Sequence, residues 1–159
     1  MDIRVGQGCD THRFESGRKL ILCGVEIPFE KGLAGHSDAD AAVHALIDAL
    51  LGALALGDIG HFFPDTDAEW KDADSMALLK KVLSAPSFSG WRIGNADLTV
   101  ITQKPKLAPY MAQMRVRLAE ALHIPVDRVS VKAKTNEGMG FVGRLEGLEA
   151  RAVVLLMKD

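Results

Sequence analysis

Polar and apolar residues alternate over Ile3–Gly8, the period-two signature of a strand with one buried face. The polar run Asp10–Gly17 breaks that alternation and predicts a turn. Two short β-prone runs, Leu20–Leu22 and Val25–Ile27, are split by Gly24, which predicts a hairpin or a bent strand ended by Pro28. The clearest helical pattern covers Ser37–Ala55, with Ser37 as N-cap, Asp40 three residues on, and Gly57 as the stop. A long polar loop follows, and then a shorter helix over Ser75–Ser84. Ala96–Thr102 predicts a strand, and Pro109–His123 a helix with proline in its first turn. Val129–Ala133 and Ala150–Met157 predict two more strands.

No regular strand–helix–strand rhythm is present. The predicted fold class is α/β (α+β): a single two-layer domain over residues 1–159, with a mixed sheet of four to five strands and helices on one face. The last strand, Arg151–Lys158, is apolar at nearly every position and predicts burial on both sides. A two-layer unit would meet that demand by packing its sheet against further copies of itself.

Composition narrows the function classes. The 159 residues carry a formal net charge of −2, and 48% are hydrophobic. With no Lys/Arg run, neither nucleic acid nor an anionic membrane surface is the expected partner. An anionic ligand must be met by local cations, backbone N–H groups or metal ions. The apolar stretch Ala45–Leu56 is too short to span a bilayer and contains Asp48. The N-terminus reads as a strand rather than a signal peptide. Cys9 and Cys23 are the two cysteines, expected reduced, which places the protein in the cytoplasm.

Candidate chemistry begins at Asp10 and His12. Residues i and i+2 of an extended chain share a face, so both side chains can reach one ion while Cys9 points away. The pattern is short, and taken alone a polar strand end explains it better. The helix adds weight. Asp40, His44 and Asp48 recur every four residues on an otherwise apolar segment, where ionisable groups are costly unless paired or ligating. Two His and one Asp leave a fourth position open on tetrahedral zinc, as in working rather than structural sites. Asp48 is then expected to hold the His44 ring from behind. Elsewhere, Thr135 and Asn136 suit phosphate, and Glu137 suits a hard divalent ion beside it.

The motifs GCDTHRF, HSDADAAVHALIDALLGALALGDIG, FFPDTD and VKAKTNEGMGFVGRLEG, in this order and spacing, resemble the 2-C-methyl-D-erythritol 2,4-cyclodiphosphate synthases of the non-mevalonate isoprenoid pathway. The resemblance covers essentially the whole chain. It implies a homotrimer with active sites at subunit interfaces. It also implies conversion of 4-diphosphocytidyl-2-C-methyl-D-erythritol 2-phosphate to the cyclodiphosphate with loss of CMP. Zinc is then expected on Asp10, His12 and His44, and Mg²⁺ or Mn²⁺ on Glu137 with the substrate phosphates. His36 and Thr135 are the implied catalytic contacts, and Ser37 meets the 2-phosphate. Asp58, Ile59, Gly60, Phe63, Pro64, Asp65, Thr66 and Asp67 match the segments around the erythritol. Thr102, Pro105, Lys106 and Leu107 match the cytidine loop, contributed across the interface. Lys134 and Asn136 flank Thr135 in the diphosphate turn, where relatives often carry a run of threonines. Phe141 and Arg144 match the trimer's central channel, which in some members holds an isoprenoid diphosphate. A zinc hydrolase using Asp48 or His36 as base, and a catalytically silent binding trimer, are the competing readings.

Overall fold

The computed structural model describes residues 1–64, 66 and 72–159. Its spine is a single strand, β1 (Asp2–Ser16), which runs straight through the predicted turn. The polar residues after Asp10 stay extended because partners on both sides claim their backbone. Asp2–Arg13 pair antiparallel with β7 (Gly147–Lys158), and Phe14–Ser16 pair with β4 (Lys31–Leu33). Tertiary pairing overrides local polarity here. The hairpin β2 (Leu20–Leu22) and β3 (Val25–Ile27) forms as expected. Both turn residues, Cys23 and Gly24, have positive φ (52° and 69°), as a twist-matched two-residue turn requires.

The main sheet has the order β4-β1-β7-β5-β6. Strand β5 (Arg92–Ile101) begins four residues earlier than its sequence pattern suggests, with a register shift between Ile93 and Asn95. It pairs parallel with β6 (Val129–Lys134) and antiparallel with β7.

Helix α1 (Ala41–Ala53) lies on this sheet and is buried almost throughout. It starts at Ala41, and its N-cap is Asp40 rather than Ser37. The Asp40 carboxylate accepts from the Val43 N–H, while the Ser37 hydroxyl is turned toward His44. The one-turn helix α2 (Ile59–Phe62) is capped by Asp58, and α3 (Ser75–Leu83) by Asp74. Helix α4 (Met111–Leu122) follows a 3-10 turn at Ala108–Tyr110, so Pro109 precedes it instead of opening it. A last single turn, α5 (Gly140–Gly143), leads into β7.

The helices cover one face. On β7, Leu148, Ala150, Ala152, Val154 and Leu156 point into that core. The opposite face, with Val153 of β7 and Ile3 and Val5 of β1, is left open: Val5 is 65% exposed and Ile3 52%.

α1 approaches β1 very closely. A Cβ at Gly6 would lie 1.8 Å from the Ala49 carbonyl oxygen, and one at Gly8 2.1 Å from that of Ala45. Glycine facing alanine lets helix and strand backbones meet, and this contact sets the height of His44 above Asp10 and His12.

Candidate metal centre and substrate cavity

Strand β1 presents Asp10 and His12 on its helix-facing side, and α1 presents His44 above them. One ligand atom from each lies within 4.8 Å of the other two. The Asp10 Oδ2 stands 2.8 Å from His12 Nε2 and 3.1 Å from His44 Nδ1. The two imidazole nitrogens are 3.4 Å apart.

The tautomers follow from the outer contacts. His12 Nδ1 lies 2.6 Å from the Ala34 carbonyl, which can only accept, so Nδ1–H donates and Nε2 offers a lone pair. His44 Nε2–H donates to Ser75 Oγ at 2.8 Å, and the Ser75 hydroxyl in turn donates to the Asp38 carboxylate. That leaves His44 Nδ1 as the second lone pair. Burial works against ionising Asp10, but hydrogen bonds and charge from both histidines outweigh it and hold its carboxyl well below the usual range. Burial likewise opposes protonation of His12, yet Asp10 prevails and raises its pKa. Three acceptor atoms therefore converge, and a proton is drawn to the place that a cation would fill. One carboxylate and two imidazoles with an open side fit a divalent metal such as zinc.

The support behind His44 differs from the sequence expectation. Asp48 accepts the Ile59 N–H at 2.7 Å, fastening α2 to α1, and the His44 ring is held instead by Ser75 and Ser37. Ser75 sits 31 residues beyond His44, at the start of α3. Sequence marks it only as a helix start. Replacing Ser75 by alanine removes the better Nε2 acceptor and should weaken divalent-metal binding at the triad about tenfold, read by competition with a chelator.

Beside the cluster opens a cavity of about 400 Å³. Its walls include His12, His44, His36, Ser37, Ile59, Gly60, Phe63 and Pro64. Ser37 is buried, whereas His36 is exposed. Asp58 spends its carboxylate on the His61 N–H, and Thr66 is exposed. Asp65 and Asp67 fall outside the described residues.

The other predicted contacts gather at the carboxyl ends of β5 and β6. The Thr102 N–H donates to the Lys134 carbonyl at 2.9 Å, and its hydroxyl to the Lys104 carbonyl at 2.5 Å. Pro105 follows a cis peptide bond, and Lys106 is exposed. The Leu107 side chain is buried in the core, so only its backbone remains for a ligand. In the next turn the Thr135 hydroxyl donates to Glu137 at 2.9 Å, and the Asn136 amide donates to the Met139 carbonyl. The Gly138 N–H reaches Gln103 Oε1 at 3.3 Å, joining this turn to the 102–107 loop. Phe141 is half-buried, and Arg144 is paired with Glu146. Asp10, Ala150, Val100 and Ala133 form one row across four strands. The second group therefore stands about 10–15 Å across the sheet from the metal cluster.

The family model described as YgbB matches residues 3–157. A 2-C-methyl-D-erythritol 2,4-cyclodiphosphate synthase of Neisseria gonorrhoeae is 59% identical over 157 residues, covering 99% of this chain and 98% of that one. One from Listeria monocytogenes is 54% identical over 156 residues, covering 98% and 99%. A solved synthase of the same name with CDP bound superposes with a TM-score of 0.88 at 42% identity, covering 97% of this chain and 100% of that one. A CDP complex from Plasmodium falciparum gives a TM-score of 0.86 at 32% identity, covering 99% and 97%. Matched from end to end in both sequence and fold, the chain belongs to the YgbB family, that of the 2-C-methyl-D-erythritol 2,4-cyclodiphosphate synthases.

Proposed function

We propose that this protein converts 4-diphosphocytidyl-2-C-methyl-D-erythritol 2-phosphate to 2-C-methyl-D-erythritol 2,4-cyclodiphosphate, releasing CMP. The full-length identity to synthases of that name carries the reading. An oxygen of the 2-phosphate attacks the β-phosphorus. The bond from that phosphorus to the bridging oxygen breaks, and CMP departs with the oxygen. The nucleophile is already anionic, so positioning and charge stabilisation matter more than a strong base.

Asp10, His12 and His44 would hold zinc, and Glu137 would hold Mg²⁺ or Mn²⁺ together with substrate phosphates. When bound, these ions supply positive charge that polarises the β-phosphorus and offsets charge on the departing phosphate. His36 and Ser37, on the cavity wall, meet the 2-phosphate. The segment from Asp58 to Asp67 receives the erythritol. Backbone groups of Thr102 and Pro105–Leu107 receive the cytosine, and Lys134–Glu137 the diphosphate, with Thr135 orienting Glu137.

The assembly we propose is a homotrimer in which the base loop of one protomer completes the metal site of its neighbour. Two observations support it: the 10–15 Å between the two groups within one chain, and the open apolar face of Ile3, Val5 and Val153. Phe141 and Arg144 would face the trimer's central channel, with room for an isoprenoid diphosphate. Cys9 and Cys23 are unpaired, which suits the cytoplasm.

Purified protein with Zn²⁺ and Mg²⁺ should release CMP and cyclic product in equal amounts from the authentic substrate. Free phosphate without cyclic product would indicate a hydrolase, and no turnover would end the assignment. His44→Ala should lose most bound zinc and more than about 100-fold in rate, beyond what outer-shell changes cost, while its oligomeric mass stays unchanged.

A further inference from the structure

The loop between β4 and α1 does several jobs at once. Its Ala34 carbonyl sets the His12 tautomer, His36 and Ser37 line the cavity, and Asp38 braces Ser75. Its carbonyls can be followed one by one. That of Ala34 accepts from His12, and that of His36 from the Asp72 N–H at 2.8 Å. The alternate pair, Gly35 and Ser37, both accept from one side chain far back in the chain: Arg18 Nη1 reaches Gly35 at 3.0 Å and Nη2 reaches Ser37 at 2.5 Å.

The root of that side chain is fixed too. A Cβ at Gly32 would stand 2.2 Å from the Lys19 carbonyl oxygen and 2.6 Å from the Arg18 carbonyl carbon, so β4 runs hard against the backbone that carries Arg18. A planar fork on a fixed root can hold two carbonyls at a set separation.

We propose that Arg18 is a positioning residue for the metal and phosphate site. Its guanidinium clips the Gly35 and Ser37 carbonyls and so sets the loop that carries the Ala34 carbonyl, His36 and Ser37. Arg18 donates to no ligand atom or reacting group; its charge, which His12 feels, opposes a cation there, so its support runs through the loop. The inference rests on the metal-dependent reading above, but its decisive tests involve no substrate.

Arg18→Lys keeps the charge and loses the fork, and Arg18→Gln loses both. Both should weaken zinc binding about tenfold, as loss of outer-shell support does. Hydrogen exchange of the Ala34 and Asp38 amides should accelerate by about tenfold or more, with β5 and β7 amides unchanged. With substrate, KM should rise more than kcat falls. Full recovery of zinc affinity and exchange in Arg18→Lys would overturn the proposal, because charge alone would then suffice. So would zinc affinity and loop exchange that stay within about twofold of the parent in both variants, or equal acceleration in the sheet, which would make Arg18 a general stabiliser. A parent protein that bound zinc but failed to turn over the authentic substrate would sink the proposed reaction and leave this test standing.

Discussion

Asp40→Ala is expected to lower the unfolding free energy by about 3–5 kcal/mol, seen as an earlier urea midpoint with an unchanged slope. The Asp40 side chain is fully buried and accepts three backbone N–H groups: Cys23 at 3.0 Å, Gly24 at 2.7 Å and Val43 at 3.1 Å. It caps α1 and pins the tip of the β2–β3 hairpin to it. Alanine leaves those buried donors without an acceptor. Burial raises the Asp40 pKa from 3.8 to about 6, against the pull of the Gly24 N–H and with help from the Asp38 charge. The folded protein therefore keeps a proton that the unfolded chain gives up. Stability from this group is full below about pH 4 and declines as pH rises through about 6, by about 3 kcal/mol at most. Asp40→Asn should flatten that decline, and the difference between the two stability–pH curves isolates it from Asp48, which burial also raises.

Gly8→Ala should damage the site more than the fold. Its new Cβ would stand 2.1 Å from the Ala45 carbonyl oxygen, where about 3 Å is the closest that real contacts allow. Helix α1 must then lift by about 1 Å, several times the roughly 0.2 Å tolerance of metal–ligand distances. His44, next to Ala45, would move off Asp10 and His12. Zinc affinity should fall by at least about tenfold and the rate by about 100-fold, with a stability loss of about 1–3 kcal/mol. Metal affinity in Gly8→Ala equal to that of the parent would show that the helix rides on something other than this glycine contact.

Much of the site was readable because its chemistry is local. Asp10 and His12 share a strand face, and His44 stands out on an apolar helix. The Cys23–Gly24 hairpin was legible for the same reason. What sequence misplaced depends on partners far along the chain. The polar run after Asp10 reads as a turn until β7 and β4 are present to pair with it. Ser37 reads as the helix cap because nothing local reveals that Cys23 and Gly24 also need the Asp40 carboxylate. Asp48 lies one turn from His44 and reads as its partner, but the Ile59 N–H competes successfully for it. Ser75 and Arg18 reach the site across 31 and 17 or more residues, and no spacing rule records such contacts.

The pairing of β1 with β7 bears on how the protein is made. Strand β1 carries two of the three residues of the candidate metal cluster, yet its partner is synthesised more than 130 residues later. Until then Asp10 and His12 sit on an unpaired strand edge whose closure must await the largest loop in the chain. A nascent chain stalled before β7 should bind zinc no better than an unfolded peptide. A metal held by this cluster would thus be loaded only once β7 has paired with β1, however early its ligands are exposed.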